Sequence, residues 1–281
     1  MVRVVQPVLV LTSCVLNVGA LVCLVVVGIA CTKRGSHDLQ TLAFFQVSLL
    51  HLDVYLDTEH GLINVIKVNT RTLATGDSRT SEAIWTAFST ARHEGRLPDS
   101  YSIGILGYCA GEAHNTTLAC THPRPGFWFD ISEIAGAGNQ MTGYRLSSLR
   151  GSLGTYKNSS QWMQILYFLA TGLTAVQLLG ALVPTMTRGV GGGLTVLLSG
   201  VACFFSLATA TLATINFAFL KGIFATELES HGLTGTLGTS AFVTLWLGII
   251  LSFGAFVDWT LIACCCFNRD RRRTLGNLPL R

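Results

Sequence analysis

Charged residues are scarce in this chain of 281 residues. Only 12% of the residues are Asp, Glu, Lys or Arg, whereas 50% are hydrophobic. Soluble domains carry about a quarter charged residues, so this composition excludes an ordinary soluble domain. A membrane protein is the first class that the composition indicates.

Sequence motifs of catalysis and nucleotide binding are also missing. We find no phosphate-binding loop, no nucleophile elbow and no His-Glu zinc motif. The seven histidines are scattered along the chain, at positions 37, 51, 60, 93, 114, 122 and 231. The sequence therefore predicts a protein that is not an enzyme and that uses no cofactor, metal ion or nucleic acid.

Four long apolar runs are present instead. They cover residues 7–30, 162–185, 190–218 and 241–266. A hydrocarbon core about 30 Å thick needs about 20 apolar residues in a helix, and each run is long enough. The expected fold is a bundle of four transmembrane helices.

The first run has a second interpretation, as a secretory signal. Arg3 precedes it, and Gly28-Ile29-Ala30 resembles a cleavage site. Signal cores usually hold about 7–15 apolar residues, whereas residues 7–30 carry no charge over their whole length. The length favours a retained transmembrane helix.

The distribution of charge predicts the orientation of the helices. Residues 32–161 carry eleven basic and eleven acidic residues, so this segment is neutral. The short segments expected on the other side carry seven arginines against one acid, a net charge of +6. They are Arg3, Arg188, Arg269, Arg271, Arg272, Arg273 and Arg281, with the acid Asp270. The positive-inside rule then places both termini in the cytoplasm.

This orientation divides the remaining chain between two sides of the membrane. The predicted cytoplasmic segments are 1–6, 186–189 and the basic tail 267–281, and the predicted outer segments are 31–161 and 219–240. Two glycosylation motifs, at Asn115 and Asn158, both fall in the larger outer segment, as glycosylation requires. Asn158 lies close to the second apolar run.

The larger outer segment has the composition of a small β-rich domain. Residues 44–56 and 62–68 are rich in β-branched and aromatic residues, which predicts strands joined by a turn at 57–61. Residues 81–92 place apolar side chains at helical spacing and predict a short helix.

Two cysteines in this segment, Cys109 and Cys120, raise three possibilities. A zinc site needs four ligands, commonly in closely spaced pairs, and no such spacing is present. A redox pair normally has two residues between its cysteines, whereas ten separate these. In an oxidising outer compartment the remaining choice is a disulfide, which would join strands at 102–111 and 117–123. Asn115 would then lie at the exposed tip between them, and Phe127, Trp128 and Phe129 would pack on the sheet or touch the outer leaflet.

Small residues in the third and fourth runs predict close helix packing. Helices in lipid associate through small residues that let their backbones approach. In the third run they recur at every fourth position, and the fourth run repeats the spacing at Gly248 and Ser252. The row in the third run is Ala202, Ser206, Ala210, Thr214 and Ala218. Tight packing within the bundle or with a second copy is favoured over a ligand channel.

Asp258 is the only residue within the four runs that can carry a charge near neutral pH, and the other polar side chains there include Asn17, Gln177 and Asn216. An acid in a membrane helix is costly, and one interpretation is an ion or proton site. The other is a packing residue hydrogen-bonded to another helix. The lack of a second ionisable residue for a relay favours the packing interpretation.

Three cysteines, Cys264, Cys265 and Cys266, end the fourth run and precede the arginine cluster of the tail. Cysteines at a membrane edge are candidates for palmitoylation, and arginines there are attracted to anionic lipid. Together they suggest lateral sorting within the membrane. An alternative of equal weight is that the cysteines only fill apolar space and the arginines only anchor the end of the helix.

The outer motif resembles a known family. Four spans, a large first outer loop and a Gly-Leu-Trp…Cys…Cys motif are the pattern of the claudin superfamily, and the fungal Sur-seven/PalI branch is most similar. Leu106 stands where that branch usually has Trp. The matching positions are Gly104, Ile105, Tyr108, Cys109, Gly111, Cys120, Pro123, Phe127, Trp128, Phe129 and Asp130, and residues 156–170 also resemble the branch.

The resemblance implies a function as well as a claudin-like fold. Members of this branch are multi-pass plasma-membrane proteins of cortical domains called eisosomes, concerned with membrane organisation, cell-wall integrity and endocytosis. The implied partners are membrane lipids, other cortical membrane proteins or a second copy, and the cell wall. An accessory role in ambient-pH signalling, or in calcium influx and mating fusion as in the related Fig-one family, is the alternative.

Overall fold

A computed structural model describes residues 2–32, 42–49, 98–112, 115–129, 147–181, 190–225 and 234–276. Four long helices and five strands are formed within these ranges. In chain order they are α1 (Val2–Ile29), β1 (Phe45–Ser48), β2 (Ser100–Ile103), β3 (Tyr108–Glu112), β4 (Asn115–Cys120), α2 (Ser147–Ala181), α3 (Val190–Ile223), β5 (Thr234–Leu237) and α4 (Thr239–Gly276).

All four helices contain stretches long and apolar enough to cross a membrane. These stretches are Val8–Ile29, Gly154–Ala181, Gly192–Ile223 and Thr239–Cys264. Large apolar side chains are exposed on every helix, for example Leu11, Leu179, Leu197 and Ile250. Extended apolar surface of this kind suits contact with lipid. The predicted fold class is therefore confirmed: the chain has four membrane-spanning helices and a small antiparallel sheet that carries a disulfide, consistent with a claudin-like four-span fold.

The chain forms two compact units. The first, called the helix unit, comprises residues 1–28, 162–214 and 241–281. Within it, α1 and α4 approach closely at glycines. A Cβ added at Gly248 would lie 3.0 Å from the Cβ of Cys23, and one added at Gly19 would lie 3.0 Å from Cδ1 of Leu251. The small residue at Gly248 thus permits the close approach that its spacing predicts.

The row of small residues in α3 divides between two environments. Its first three members are buried and its last two are exposed. The buried ones are Ala202, Ser206 and Ala210, and the exposed ones are Thr214 and Ala218. A step of four residues advances about 400° around a helix, so such a row drifts by about 40° per step from any fixed face. The predicted packing row therefore ends at Ala210, and the buried face continues at Ala213 and Phe217.

The second unit, called the sheet unit, comprises residues 29–161 and 215–240. Its sheet has five antiparallel strands in the order β4-β3-β2-β1-β5. In β1, Phe45 and Val47 are buried whereas Gln46 is exposed, the alternation that a half-buried strand requires. Phe45 lies opposite Ile103 of β2 on one side and Leu237 of β5 on the other. The strand β1 thus lies between β2, which comes from the segment 31–161, and β5, which comes from the segment 219–240.

Aromatic contacts within the sheet unit bury Phe44 and Phe45, where β1 begins. Phe44 stacks on Phe217 with ring centroids 4.9 Å apart, and Phe45 meets Phe224 edge-on at 5.2 Å. The chain approaches β1 closely after β5, where the Gly238 N–H donates to the Phe44 carbonyl at 3.0 Å. A Cβ at position 238 would collide with the carbonyl of Ala43.

The sequence-based boundaries differ from this structure in three places. Residues 102–111 form parts of two strands and not one, because the chain reverses between Gly104 and Gly107, whose N–H and carbonyl are 2.8 Å apart. The predicted outer segment 219–240 contributes β5, which was predicted only as a loop. The segment 31–161 ends in a helix, since α2 begins at Ser147.

Several predicted elements lie outside the described residues. They are the turn at 57–61, the strand at 62–68 and the helix at 81–92. The strand predicted over 44–56 is described as far as Leu49 and contains β1.

Candidate functional site

A disulfide between Cys109 and Cys120 fastens β3 to β4. The two cysteines lie directly opposite each other in the antiparallel pair, with their Cα atoms 4.0 Å apart. Opposed residues of neighbouring antiparallel strands are within reach of each other's side chains, so the register itself brings the thiols together. The predicted disulfide is confirmed.

A tight turn follows the second cysteine. The Phe127 N–H donates to the Arg124 carbonyl at 3.3 Å, and Gly126 has a φ of 80°. Proline at the second position and glycine with positive φ at the third are the signature of a type II turn, which Pro125 and Gly126 provide. The turn directs the aromatic residues 127–129 back towards the sheet unit.

Four aromatic rings form a cluster on the sheet, called the aromatic cluster: Tyr101, Tyr108, Phe127 and Phe129. Phe129 meets both tyrosines edge-on at 5.9 Å, and Phe127 stacks on Tyr108 at 6.0 Å. Burial, and secondarily the neighbouring Tyr108, raise the pKa of Tyr101 well above its ordinary value, so its phenol stays neutral. Phe127 and Phe129 thus pack on the sheet, which is one of the two placements predicted from the sequence, the other being contact with the outer leaflet.

Three residues in the third and fourth turns of α2 hold this aromatic segment. The Ser160 hydroxyl donates to the Phe127 carbonyl at 3.1 Å, and the Tyr156 side chain hydrogen-bonds to the backbone of Phe129. Lys157 Nζ lies 4.9 Å from the ring centroid of Trp128, within cation–π range. Sequence reasoning missed these three anchors. The signals in the sequence are the family resemblance of residues 156–170 and the i, i+4 spacing of Tyr156 and Ser160, which puts these two on one helix face.

The glycines of the outer motif are required by close contacts. A Cβ at Gly104 would lie 2.7 Å from the Ala30 carbonyl, and one at Gly107 would lie 2.7 Å from the Thr121 hydroxyl. That hydroxyl donates to the Tyr108 carbonyl at 3.1 Å and accepts from the Tyr108 N–H at 3.0 Å. The glycines therefore allow the β3–β4 hairpin to close against the chain after α1.

A free cysteine packs beside the disulfide. Cys31 is 1% exposed and forms one apolar cluster with Ala43 and Cys109, against which Cys120 also packs. Burial raises the pKa of the Cys31 thiol to about 12. The thiolate is the species that attacks a disulfide, so a thiol kept protonated next to Cys109–Cys120 does not exchange with it.

The remaining motif positions fall in the same unit. Gly111 is buried in β3, Pro123 is exposed after β4, and Leu106 is 8% exposed, with its carbonyl accepting from the Arg124 N–H at 3.0 Å. The position at which the resembling branch usually has Trp is thus largely buried here. Asp130 lies outside the described residues.

The two glycosylation motifs occupy different backbone environments. Asn115 begins β4, pairs with Glu112, and so lies next to the tip of the hairpin. Asn158 lies within α2 with an exposed side chain, inside the candidate span Gly154–Ala181.

The residues proposed within and at the end of the fourth apolar run belong to the helix unit. Cys264 is exposed at the end of the candidate span, and the backbone of Cys265 and Cys266 continues α4. Asp258 is partly buried, and its Oδ2 has no hydrogen-bond partner among the described residues. Within the part of the chain that the structure describes, no group of three or more His, Cys, Asp or Glu side chains could hold a metal ion.

These features define a class of protein: a multi-pass membrane protein whose four apolar helices accompany a disulfide-clasped antiparallel sheet. Residues 9–257, nearly the whole chain, match the model of the SUR7/PalI family, and the chain belongs to that family. The resemblance carried by residues 104–130 is therefore confirmed. No curated protein and no solved structure matches the chain.

Proposed function

We propose that this protein is a non-enzymatic organiser of the plasma membrane in cortical domains of the eisosome type, where it supports membrane organisation, cell-wall integrity and endocytosis. The observation that carries the proposal is the SUR7/PalI family match over residues 9–257. The structure adds a sheet cross-linked by a disulfide and helices whose exposed apolar faces suit contact with lipid, an arrangement suited to lateral contact with neighbours.

The pairing of β1 with β5 supports the proposed topology. The two strands come from the two segments predicted to lie outside, and they are hydrogen-bonded neighbours in one sheet. They therefore share one side of the membrane, as an even number of crossings between them requires. A disulfide in the same sheet favours the oxidising outer side, and this supports the proposal that both termini lie in the cytoplasm.

The proposed partners are those that the family resemblance implies, and the exposed apolar helix faces support the first of them, membrane lipids. Membrane lipids contact the exposed apolar helix faces, and other cortical membrane proteins or a second copy pack laterally against them. The sheet unit faces the cell wall. Palmitoylation of Cys264, Cys265 and Cys266 beside the basic tail would sort the protein laterally, and exposed Cys264 suits such a modification.

Live-cell imaging of the full-length tagged protein, combined with a deletion strain under cell-wall stress, tests the proposal. Stable cortical patches and a wall-stress defect that the wild-type chain restores are the expected results. Uniform diffusion over the membrane would contradict it. Calcium uptake and growth at alkaline pH, measured in the same strain, test the alternatives. If the deletion impairs only one of these and leaves patches and wall resistance intact, the protein has an accessory role in signalling or influx and not the proposed organising role.

A further inference from the structure

Six polar side chains inside the helix unit bury atoms that have no hydrogen-bond partner among the described residues. We call them the polar layer: Ser13, Asn17, Gln177, Ser199, Asp258 and Trp259. Apart from Asp258, which is partly exposed, each is at most 1% exposed. Both the nitrogen and the oxygen of the Asn17 amide are unpartnered in this sense. Such groups are expensive in a membrane, where bulk water cannot satisfy them.

The contacts between α1 and α4 bring three of these residues to one level. Gly248 lies beside Cys23, Leu251 beside Gly19, and Gly254 beside Leu16, so the two helices run antiparallel in a regular register. One further turn of the same register puts Ser13 level with Asp258. Trp259 packs in one cluster with Cys14, which lies between Ser13 and Asn17.

The other two helices reach the same level. Ala181 of α2 and Val196 of α3 belong to the cluster of Trp259. Gln177 lies one turn before Ala181, and Ser199 lies three residues after Val196, so both are on the faces turned to this cluster. The polar layer therefore receives side chains from all four helices.

The level lies within the membrane. Its members are between four and nine residues inside the ends of the candidate spans, which begin at Val8 and Gly192 and end at Ala181 and Cys264. At a rise of about 1.5 Å per residue this is about 6–14 Å from the span ends, within one half of a hydrocarbon core about 30 Å thick.

We propose that the polar layer binds a small cluster of water molecules inside the membrane. Its unpartnered atoms include the N–H donors of Asn17, Gln177 and Trp259, and the acceptor oxygens of Asn17 and Asp258. Water both donates and accepts, and buried water typically binds several otherwise unsatisfied polar groups. A bare metal cation would face the N–H donors, and an anion would face the Asp258 carboxylate. The mixture of groups thus selects a neutral hydroxylic ligand.

Bound water also accounts for the solitary acid. The four apolar runs 7–30, 162–185, 190–218 and 241–266 contain no Lys or Arg to pair with Asp258, and the other members of the layer are neutral. Water molecules held by Asn17, Gln177 and the serines solvate the carboxylate without a counter-charge. The proposal stands apart from cortical organisation and concerns the interior of the bundle alone.

Hydroxyl-radical footprinting of the full-length protein in lipid nanodiscs tests the proposal, because radiolysis generates the radicals from nearby water. Cys14, within the layer, is compared with Cys23 on the same helix, which is also partly buried and lies by Gly248. We expect Cys14 and Trp259 to be oxidised several-fold faster than Cys23. Equal rates at Cys14 and Cys23 would overturn the proposal.

A variant shows that the labelling depends on the polar layer. Asn17→Leu removes a donor and an acceptor and is expected to lower Cys14 oxidation several-fold. Ser206→Ala is the matched control, since Ser206 is buried outside the layer and donates to the Ala202 carbonyl at 2.9 Å. It should leave Cys14 oxidation unchanged. Cys14 oxidation that persists in Asn17→Leu would refute the water site.

Discussion

The Tyr167 hydroxyl donates to the backbone carbonyl of Leu24 at 2.9 Å and so ties α2 to α1. The tyrosine ring lies over the place where residue 28 would carry a side chain, and residue 28 is glycine. The hydrogen bond of Tyr167 therefore depends on the absence of a side chain at position 28. A carbonyl of a helix can accept a second hydrogen bond only where the helix surface lets the donor approach.

The substitution Gly28→Ala is expected to destabilise the protein by about 1–3 kcal/mol, because the new methyl collides with the Tyr167 hydroxyl. Tyr167→Phe should cost less, about 0.6–1.7 kcal/mol, which is typical of a hydrogen bond between membrane helices. Thermal or denaturant unfolding in detergent measures both effects.

The double variant and a control complete this cycle. With the hydroxyl gone, Gly28→Ala should cost less than it does alone, although the ring carbon Cζ remains 2.7 Å from the added methyl. Gly172→Ala in α2, where no atom lies within 4 Å of the added Cβ, should be nearly neutral. Strict additivity of Gly28→Ala and Tyr167→Phe would refute the coupling.

Removal of the disulfide should destabilise the sheet unit. Cys109→Ser or Cys120→Ser is expected to lose about 2–4 kcal/mol and to lower the fraction of the protein that reaches the cell surface. Cys264→Ser, at an exposed free cysteine, is the matched control and should be exported normally. Thiol labelling that finds Cys109 and Cys120 free in the native, unreduced protein would contradict the structure.

The Cys31 thiol should resist alkylation in the folded protein. Because burial raises its pKa to about 12, its ionised fraction near pH 8 falls on the order of 1000-fold below that of an unperturbed thiol. Mass spectrometry after maleimide treatment should find exposed Cys264 modified and Cys31 intact. Equal modification of the two thiols before unfolding would contradict the burial.

The same pKa predicts a loss of stability at alkaline pH. Between the ordinary thiol pKa of 9.0 and about 12, the unfolded thiol gives up its proton while the folded thiol retains it. The contribution of Cys31 is therefore fully present below pH 9.0 and declines as the pH rises towards 12. Cys31→Ala should flatten this part of the stability curve, whereas an unchanged alkaline slope would exclude Cys31 as its source.

Glycosylation should occur at Asn115 and not at Asn158. Asn115 adjoins the tip of a hairpin, whereas Asn158 lies in helical backbone within a candidate span. Glycan acceptors lie in surface segments. Asn115→Gln should abolish the mobility shift on glycosidase treatment, and Asn158→Gln should leave it unchanged. The absence of any glycan in the wild type would remove this support for the outer location.

Ser160→Ala should loosen the aromatic segment from α2. The change removes the donor to the Phe127 carbonyl and is expected to cost about 1–3 kcal/mol if that carbonyl is left without a partner. Ser159→Ala, one position away on a less buried face, is the control. Tryptophan fluorescence and limited proteolysis near Trp128 should change for Ser160→Ala alone, and identical behaviour of the two variants would refute the anchor.

The membrane-spanning class and the disulfide could be predicted from the sequence, because each rests on a local signal. Uninterrupted apolar runs identify helices without any knowledge of their neighbours. The cysteine pair could be assigned to a disulfide because metal sites and redox pairs have characteristic cysteine spacings, and neither spacing is present. In both cases a few adjacent residues contain the whole argument.

Features that depend on distant contacts could not be predicted. The four residues of β5, Thr-Gly-Thr-Leu, show no clear alternation, and they form a strand because β1 offers its edge. The start of α2 at Ser147 precedes the apolar run, and its turns at Tyr156 and Ser160 are held by the aromatic segment. In the row of small residues in α3, burial within the chain stops at Ala210, because a step of four residues does not match the period of a helix.

The pairing of β1 with β5 has a consequence for biosynthesis. Phe45 and Leu237 are partners although roughly 190 residues of chain, including α2 and α3, are made between them. Until the ribosome has produced both helices and the segment that forms β5, β1 has an open edge. Unpaired edges are the sites at which strands join wrong partners. The newly made protein therefore passes through a stage in which a chaperone or a neighbouring chain can occupy the place of β5.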